Sequence, residues 1–179
     1  MRYSIVSKDL SPAQIETEAK RVGATNITKA RLLGQIFCEL SGDQARALSA
    51  VPGFAVKPVQ EYKTDQVATD LAPVETFSDV FYLIRSYFSP PLTGTGLTVA
   101  ILDSGIRKSH EALRNKVVYE ANTTESLTPD DVFGHGTQVA FAAAGGMHAE
   151  GQKAGVSPGA SLFNIKVIND EGIGSDESI

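Results

Sequence analysis

The chain has 179 residues, of which 42% are apolar, and 16 Lys and Arg against 21 Asp and Glu give a formal net charge of -5. This composition is that of an ordinary globular protein, and its acidity argues against a nucleic-acid partner, which requires a basic face. No apolar run approaches the roughly 20 residues that span a bilayer, and the single cysteine excludes an intrachain disulfide.

The first 60 residues predict a small α+β unit. One helix is expected to begin after Ser11, with Pro12 at its first position and Gln14 completing a capping box, and to end at Gly23. A second helix is expected to begin after Ser41 in the same way. Strands are predicted at residues 3–6, 24–28, 32–40 and 54–56. The resulting order, β-α-β-β-α-β, is typical of the ferredoxin-like arrangement.

No catalytic group is predicted in this first unit. Cys38 lies inside the third predicted strand, with no histidine nearby in sequence, and is interpreted as a packed or half-exposed strand residue. Residues 60–95 differ, since they contain three prolines and mixed polar and aromatic residues. They are interpreted as a connector, with a short helix predicted at Phe77–Phe88.

From Gly96 the pattern becomes α/β. Residues 97–102 form a nearly continuous apolar run, which is typical of parallel strands buried on both faces. A second, weaker strand is predicted at residues 116–119, an Ala-rich helix at 135–145 and a third strand at 161–167. Parallel pairing is expected because a helix separates the strands. Residues 96–179 thus supply about three strands, whose apolar faces would stay partly uncovered.

Asp103 directly follows the apolar strand, at the edge where open α/β sheets build their sites. Alone it is weak evidence, because Asp-Ser-Gly is also a good turn sequence. His135 lies between glycines at the start of the Ala-rich helix, where the helix amino terminus favours a neutral imidazole that can act as a base. Alone, it could equally be a loop histidine near a helix start.

The combination is more specific. The Asp103-Ser104-Gly105 turn after an apolar strand, followed 32 positions later by His135-Gly136-Thr137 at a helix start, resembles the subtilisin-like serine proteases. The later strand, ending at residues 166–168 and followed by Gly-Ile-Gly-Ser, lies at a similar spacing in that family. The first unit also resembles the family's ferredoxin-like inhibitory propeptide. The resemblance implies a propeptide domain at residues 1–64 and an incomplete parallel-sheet peptidase domain at residues 65–179.

The resemblance also implies roles for individual residues. Asp103 looks like the triad aspartate, which fixes the tautomer of His135, and His135 looks like the general base for a serine hydroxyl. The segment Gly172, Ile173 and Gly174 resembles the edge at which substrate pairs as an added strand, with Ile168 near an apolar pocket. The other histidines are interpreted as non-catalytic. They are His110, where the family has a structural histidine, and His148, in a glycine-rich loop.

Several features depart from the family pattern. The nucleophilic serine and the oxyanion asparagine are not recognised in this chain. The serines after His135, none of which has the family's setting, are Ser157, Ser161, Ser175 and Ser178. The asparagines after His135 do not match the oxyanion position, because Asn164 lies within the third strand of the α/β part and Asn169 lies just after it. Gln138 replaces a second histidine and is expected to be structural. Residues 175–179 resemble the start of a helix without its body, so the chain is interpreted as the amino-terminal part of a longer protease.

No cofactor is expected for the chemistry. The family's structural calcium is left open for the full protein, but the usual site is not supported, because its positions hold Ala112 and residues 145–150. The expected partners are a peptide or protein substrate, the chain's own propeptide and the remainder of the catalytic domain, with no nucleic acid and no membrane. No signal peptide is visible, although the family is usually secreted, so the location is not predicted.

Two functions remain open. The first is a serine endopeptidase precursor whose propeptide acts as chaperone and inhibitor, with self-cleavage near Glu61–Asp65, for example after Tyr62. The second is a non-catalytic fragment that inhibits or chaperones a separate protease through residues 1–64. A small α/β binding protein explains neither the motif order nor the first unit.

Overall fold

A computed structural model describes residues 1–30, 34–64, 92–146 and 154–179. Its strands are β1 Arg2–Ser7, β2 Thr25–Ala30, β3 Gln35–Glu39, β4 Phe54–Pro58, β5 Glu61–Lys63, β6 Thr98–Asp103, β7 Val117–Asn122, β8 Ser161–Lys166 and β9 Ile173–Ser175. Its helices are α1 Pro12–Arg21, α2 Gly42–Ser49 and α3 His135–Ala144, with a 3-10 turn at Glu111–Leu113. The predicted helix at Phe77–Phe88 lies outside the described residues.

The chain divides into two units. The smaller unit comprises Met1–Glu61 with Ser175–Glu177, and the larger unit comprises Tyr62–Gly174 with Ser178–Ile179. None of the helices in the described ranges is long and apolar enough to cross a membrane.

The smaller unit has a four-stranded antiparallel sheet in the order β2-β3-β1-β4, with α1 after β1 and α2 after β3. The elements follow the predicted β-α-β-β-α-β order. The capping box of α2 is complete, since the Gln44 amide donates to Ser41 Oγ (3.2 Å) and the Ser41 amide donates to Gln44 Oε1 (2.7 Å). In α1, Gln14 Oε1 accepts the Ser11 amide (2.9 Å).

The core of the smaller unit lies between the sheet and the two helices. Cys38 is fully buried in β3, which confirms its interpretation as a packed strand residue. The buried side chains of this core are Ile5, Ile15, Ala19, Ile36, Cys38, Leu40, Ala45 and Leu48.

The larger unit has a three-stranded sheet in the order β6-β8-β7, and both strand pairs are parallel, as predicted. Helix α3 covers one face, where Ile101 of β6 and Leu162 of β8 join the core with Ala140 and Ala144. A separate two-stranded sheet joins β5 to β9.

The prediction that β6 is buried on both faces is wrong for this chain. The side chains alternate, so that Ile101 and Asp103 point inward while Leu102 stays 50% exposed. Tyr119 and Phe163 are also exposed, and their rings contact each other with centroids 5.3 Å apart. The partly uncovered apolar strands expected from the sequence are therefore present within the described residues.

The helix start predicted at Ser175 was also wrong. Ser175 is the last residue of β9, and residues 176–178 form a turn. Hydrogen bonds within the smaller unit hold this turn, because the Asp176 amide donates to the Gln60 carbonyl (3.1 Å) and Glu177 forms an ion pair with Arg2.

Candidate functional site

Asp103 is the last residue of β6 and is only 8% exposed. Its Oδ1 accepts the Ser104 amide (2.7 Å). Its carbonyl oxygen accepts the amides of Val167 (2.9 Å) and Ile168 (3.2 Å), which continue the neighbouring strand β8. Both the carboxylate and the backbone of Asp103 are therefore held by groups of the larger unit.

His135 is the first residue of α3, and its Nδ1 lies 2.8 Å from Asp103 Oδ1 and 2.9 Å from Asp103 Oδ2. Because an ionised carboxylate can only accept a hydrogen bond, Nδ1 carries the proton of the neutral ring and Nε2 presents a lone pair. The His135 side chain is 28% exposed, so the ring is reachable from solvent although Asp103 is not. The two residues singled out from the sequence thus form a donor–acceptor pair with an outward-facing base.

The glycine after His135 allows the helix to approach the Asp103 turn closely. Gly136 is buried, and its amide donates to Ser104 Oγ (2.9 Å). A Cβ atom at Gly136 would lie 2.1 Å from the Gly105 carbonyl oxygen and 3.1 Å from Asp103 Cβ. The structure therefore requires a residue without a side chain here, as the sequence pattern indicated.

Asp131 was not singled out from the sequence, although it is fully buried beside the His135 helix. Its Oδ1 accepts the Gly134 amide (2.7 Å) and Ser104 Oγ–H (2.8 Å). Its Oδ2 accepts the amide (2.8 Å) and the hydroxyl (2.5 Å) of Thr137. An aspartate shortly before a helix start is a capping signal, which could have indicated this residue.

Lys166 was also missed as a site residue. Its side chain is fully buried at the end of β8, where Nζ donates to the Ser104 carbonyl and to the Asp130 carbonyl (3.2 Å) and pairs with Asp170 Oδ1 (2.9 Å). The register of the parallel sheet places Lys166 opposite Asp103. A lysine in an apolar strand signals a specific partner, but the Ser104 carbonyl lies 62 residues away in the chain and is not visible in a motif.

The predicted substrate-binding residues form a short looped segment after β8. Ile168 makes an antiparallel bridge with Gly174, and the Asn169 amide donates to the Ile173 carbonyl (2.8 Å). The Gly172 carbonyl accepts the Thr64 amide (2.9 Å). The edge of this segment therefore already accepts a backbone hydrogen bond from an extended strand.

The ring of Phe133 lies against Gly172. A Cβ at Gly172 would lie 2.5 Å from Phe133 Cε2, and the φ of +79° at Gly172 is one that other residues rarely adopt. Phe133 precedes His135 by two residues, so this contact places the segment beside the histidine loop.

The remaining polar candidates are engaged elsewhere. Ser178 Oγ donates to the Val167 carbonyl (2.7 Å), and Asn164 Nδ2 donates to the Pro129 carbonyl (2.9 Å). His110 Nδ1 accepts the Ala112 amide (3.3 Å) and caps the 3-10 turn. Gln138 is exposed on α3. His148 lies outside the described residues.

Asn169 orders the loop next to the segment. Its Oδ1 accepts the amides of Glu171 (3.0 Å) and Ile173 (2.9 Å), while its Nδ2 donates to Glu125 Oε1 (2.6 Å). This last bond lowers the pKa of the Glu125 carboxyl below its ordinary value. Asn169 therefore serves the fold of the loop.

Of the positions that the resemblance assigned to the family's calcium site, Ala112 and residues 145–146 are described, whereas residues 147–150 lie outside the described residues. Ala112 is buried and carries no oxygen on its side chain, and its carbonyl already accepts the Gly146 amide (2.7 Å). In the part of the chain that the structure describes, no group of three or more His, Cys, Asp or Glu side chains could hold a metal ion.

Comparison with known proteins finds a family that resembles the second half of the chain. Residues 94–179 match the model of the subtilase family, peptidase S8. Serine protease AprX of Bacillus subtilis is 40% identical over 86 residues, which are 47% of this chain and 19% of that protein. Subtilisin-like protease 6 of Trichophyton verrucosum is 32% identical over 94 residues, which are 52% of this chain and 21% of that protein. The chain thus spans about a fifth of the length of these relatives.

Among solved structures, fervidolysin from Fervidobacterium pennivorans, a keratinolytic enzyme related to subtilisin, matches with a TM-score of 0.63 and 17% identity. The match covers 94% of this chain and 30% of fervidolysin. At this identity the likeness shows the fold, a mixed α/β structure with a parallel sheet.

Proposed function

We propose that the chain is part of a serine endopeptidase precursor, on the basis of the match between residues 94–179 and the model of the subtilase family. The observation that carries the proposal is the hydrogen bond between the buried carboxylate of Asp103 and Nδ1 of His135. A hydrogen bond of this kind, from the Nδ1 atom of a histidine to an aspartate, is what an Asp/His/Ser triad needs between two of its three members.

In the proposed reaction Asp103 holds the tautomer of His135 and stabilises the imidazolium that forms. His135 Nε2 takes the proton from a serine hydroxyl as that oxygen attacks the peptide carbonyl, and then gives the proton to the leaving amine. No serine of this chain is proposed as the nucleophile. The serine and the oxyanion donor would come from the remainder of the catalytic domain, and the chemistry requires no cofactor.

The segment Gly172, Ile173 and Gly174 is proposed to bind the substrate backbone, with Ile168 beside an apolar side-chain pocket. In support, the Thr64 amide already donates to the Gly172 carbonyl, and β5 pairs with β9 as an added strand would. An extended peptide can add to an exposed sheet edge through backbone hydrogen bonds, so this mode of binding accommodates many peptide sequences.

We propose further that residues 1–64 are a ferredoxin-like propeptide and that residues 65–179 begin the peptidase domain. The propeptide would act as folding chaperone and inhibitor, with self-cleavage near Glu61–Asp65. In support of this role, strand β5, which lies at the end of the proposed propeptide, pairs with strand β9.

In the second proposed function, only the first unit acts, and the chain does not catalyse peptide hydrolysis. Residues 1–64 would then inhibit a separate subtilisin-like protease, which the self-contained core of the smaller unit favours. Titrating such a protease with residues 1–64 distinguishes the two. Strong inhibition, with no hydrolysis from the completed domain described next, would favour the second function.

The catalytic roles can be tested by completing the domain. In a chimera, residues 94–179, which match the family model, replace the corresponding part of AprX, so that AprX supplies the serine. We expect peptide hydrolysis by the chimera, and a loss of about 10⁴-fold in kcat for Asp103→Asn or His135→Ala. His110→Ala is the matched control, because His110 only caps a turn, and it should keep the activity.

Two results would contradict the proposal. One is a chimera that hydrolyses peptide equally well after Asp103→Asn or His135→Ala. The other is labelling of the 179-residue chain by a serine-directed fluorophosphonate, which would place a reactive serine within it. Unlabelled chain and strongly impaired variants are the expected outcome.

A further inference from the structure

We propose that Asp131 is a positioning residue that fixes His135 against Asp103, an inference that rests on the proposed function. Its carboxylate is fully buried and accepts four hydrogen bonds from Ser104, Gly134 and Thr137. Two of these residues flank the His135 position in the chain, and the third follows Asp103.

The four donors are all neutral, namely two backbone amides and two hydroxyls. Each carboxylate oxygen takes two of them, so both oxygens are used. Ser104 Oγ gives its only proton to Asp131 and therefore faces the Gly136 amide with a lone pair, as the 2.9 Å bond requires. The backbone on both sides of His135 is thus tied to one carboxylate.

The same network reaches Asp103 from the other side. The Ser104 amide donates to Asp103 Oδ1, which also accepts from His135 Nδ1. Asp131 thereby connects the acceptor turn and the donor helix through a single residue, Ser104. Loss of this connection would remove the carboxylate that ties the backbone on both sides of His135 to the turn after Asp103.

An Asp131→Asn change is nearly isosteric and tests this arrangement sharply. An amide has one oxygen and one NH2 group, so one pair of the donors would face another donor. A buried donor left without an acceptor is costly, so the loop around His135 is expected to shift until the donors find new partners. Asp130→Asn is the matched control. It also removes one negative charge, but from the preceding residue, whose side chain is exposed.

The readout is the tautomer of His135 in the 179-residue chain, from long-range 1H–15N spectra at about pH 8, above the ordinary histidine pKa of about 6.5. His135→Gln identifies the signal. The parent and Asp130→Asn are expected to show the Nδ1–H form. Asp131→Asn is expected to lose it in favour of a mixture with the Nε2–H form, while His110 in the same sample stays unchanged.

A folded Asp131→Asn chain that keeps the parent's Nδ1–H signal would overturn the proposal. If Asp131→Asn does not fold, Ser104→Ala tests the proposal instead, because it removes a single hydroxyl of the network. This variant should also lose the Nδ1–H form of His135. An unchanged signal in that variant overturns the proposal equally. A parent without the Nδ1–H form contradicts the Asp103–His135 pair itself. An inactive AprX chimera whose tautomer still depends on Asp131 would contradict the proposed function alone.

Discussion

Replacing Gly136 with alanine tests how closely the His135 helix must approach the Asp103 turn. The added Cβ would lie 2.1 Å from the Gly105 carbonyl oxygen, whereas real Cβ atoms almost never come within 3.0 Å of such an atom. Helix and turn would have to separate by about 1 Å, since the opposing atom is backbone and cannot rotate away. A separation of this size would carry Nδ1 of His135 from 2.8 Å to beyond the range of a hydrogen bond to Asp103.

Two effects oppose each other in the free energy of unfolding. Alanine is favoured over glycine inside a helix by about 1 kcal/mol. Overpacking a buried site costs about 1–3 kcal/mol, and losing the bond from the Gly136 amide to Ser104 costs about 1 kcal/mol more. The steric term is larger, so we expect a net destabilisation of about 2 kcal/mol, or roughly 30-fold in the unfolding equilibrium.

Native-state hydrogen exchange can measure this in the larger unit alone. The Val167 amide, which donates to the Asp103 carbonyl, reports on the site, and its exchange should accelerate in Gly136→Ala. Gly42→Ala is the control, because Gly42 also lies in a first helical turn but its Cβ would meet only Arg46 Nη1 at 3.7 Å. A Gly136→Ala chain with unchanged exchange at Val167 and an unchanged His135 tautomer would refute the close-approach reasoning.

Three further predictions concern the substrate edge, the surface charges and the thiol. Gly172→Ala should destabilise the larger unit for two reasons, namely the steric clash with Phe133 and the φ of +79°. Adding Phe133→Ala should relieve only the destabilisation caused by the clash, which unfolding measurements on the single and double mutants would show. Salt bridges with Lys20 and a second lysine lower the pKa of Glu16 to about 2, so their stabilisation is present above about pH 4.5 and is lost as pH falls towards 2. Carboxyl NMR titration should show this pKa, and Lys20→Gln should raise it. Burial raises the pKa of the Cys38 thiol, so native chain should react with a disulfide reagent far more slowly than chain unfolded in urea, and equal rates would contradict this.

Local signals predicted the helices of the smaller unit because their partners lie within a few residues. Ser41 and Gln44 are three residues apart, and the capping box needs nothing from the rest of the chain. The parallel pairing of the strands in the larger unit was also predicted, from the apolar runs and the intervening helix. The exposed face of β6 could not be predicted, because the apolar run alone does not indicate which face another element covers.

Distance along the chain explains what was missed in the site. Asp103 and His135 were recognisable because each lies in a short pattern of its own. Asp131 also bonds to Gly134 and Thr137 nearby, but both Asp131 and Lys166 bond to Ser104, in a segment that meets theirs only in the fold. Their partner Ser104 lies 27 and 62 residues away, respectively, and it looks like an ordinary turn residue in the sequence.

The position of β8 between β6 and β7 links the proposed catalytic pair to the proposed substrate edge. Because β8 lies beside β6, its continuation donates the Val167 and Ile168 amides to the Asp103 carbonyl. The chain then turns into the segment whose Gly172 contacts Phe133, two residues before the histidine. A shift of β8 would therefore displace the segment relative to both members of the pair, so substitutions along β8 should alter substrate binding and turnover together rather than separately.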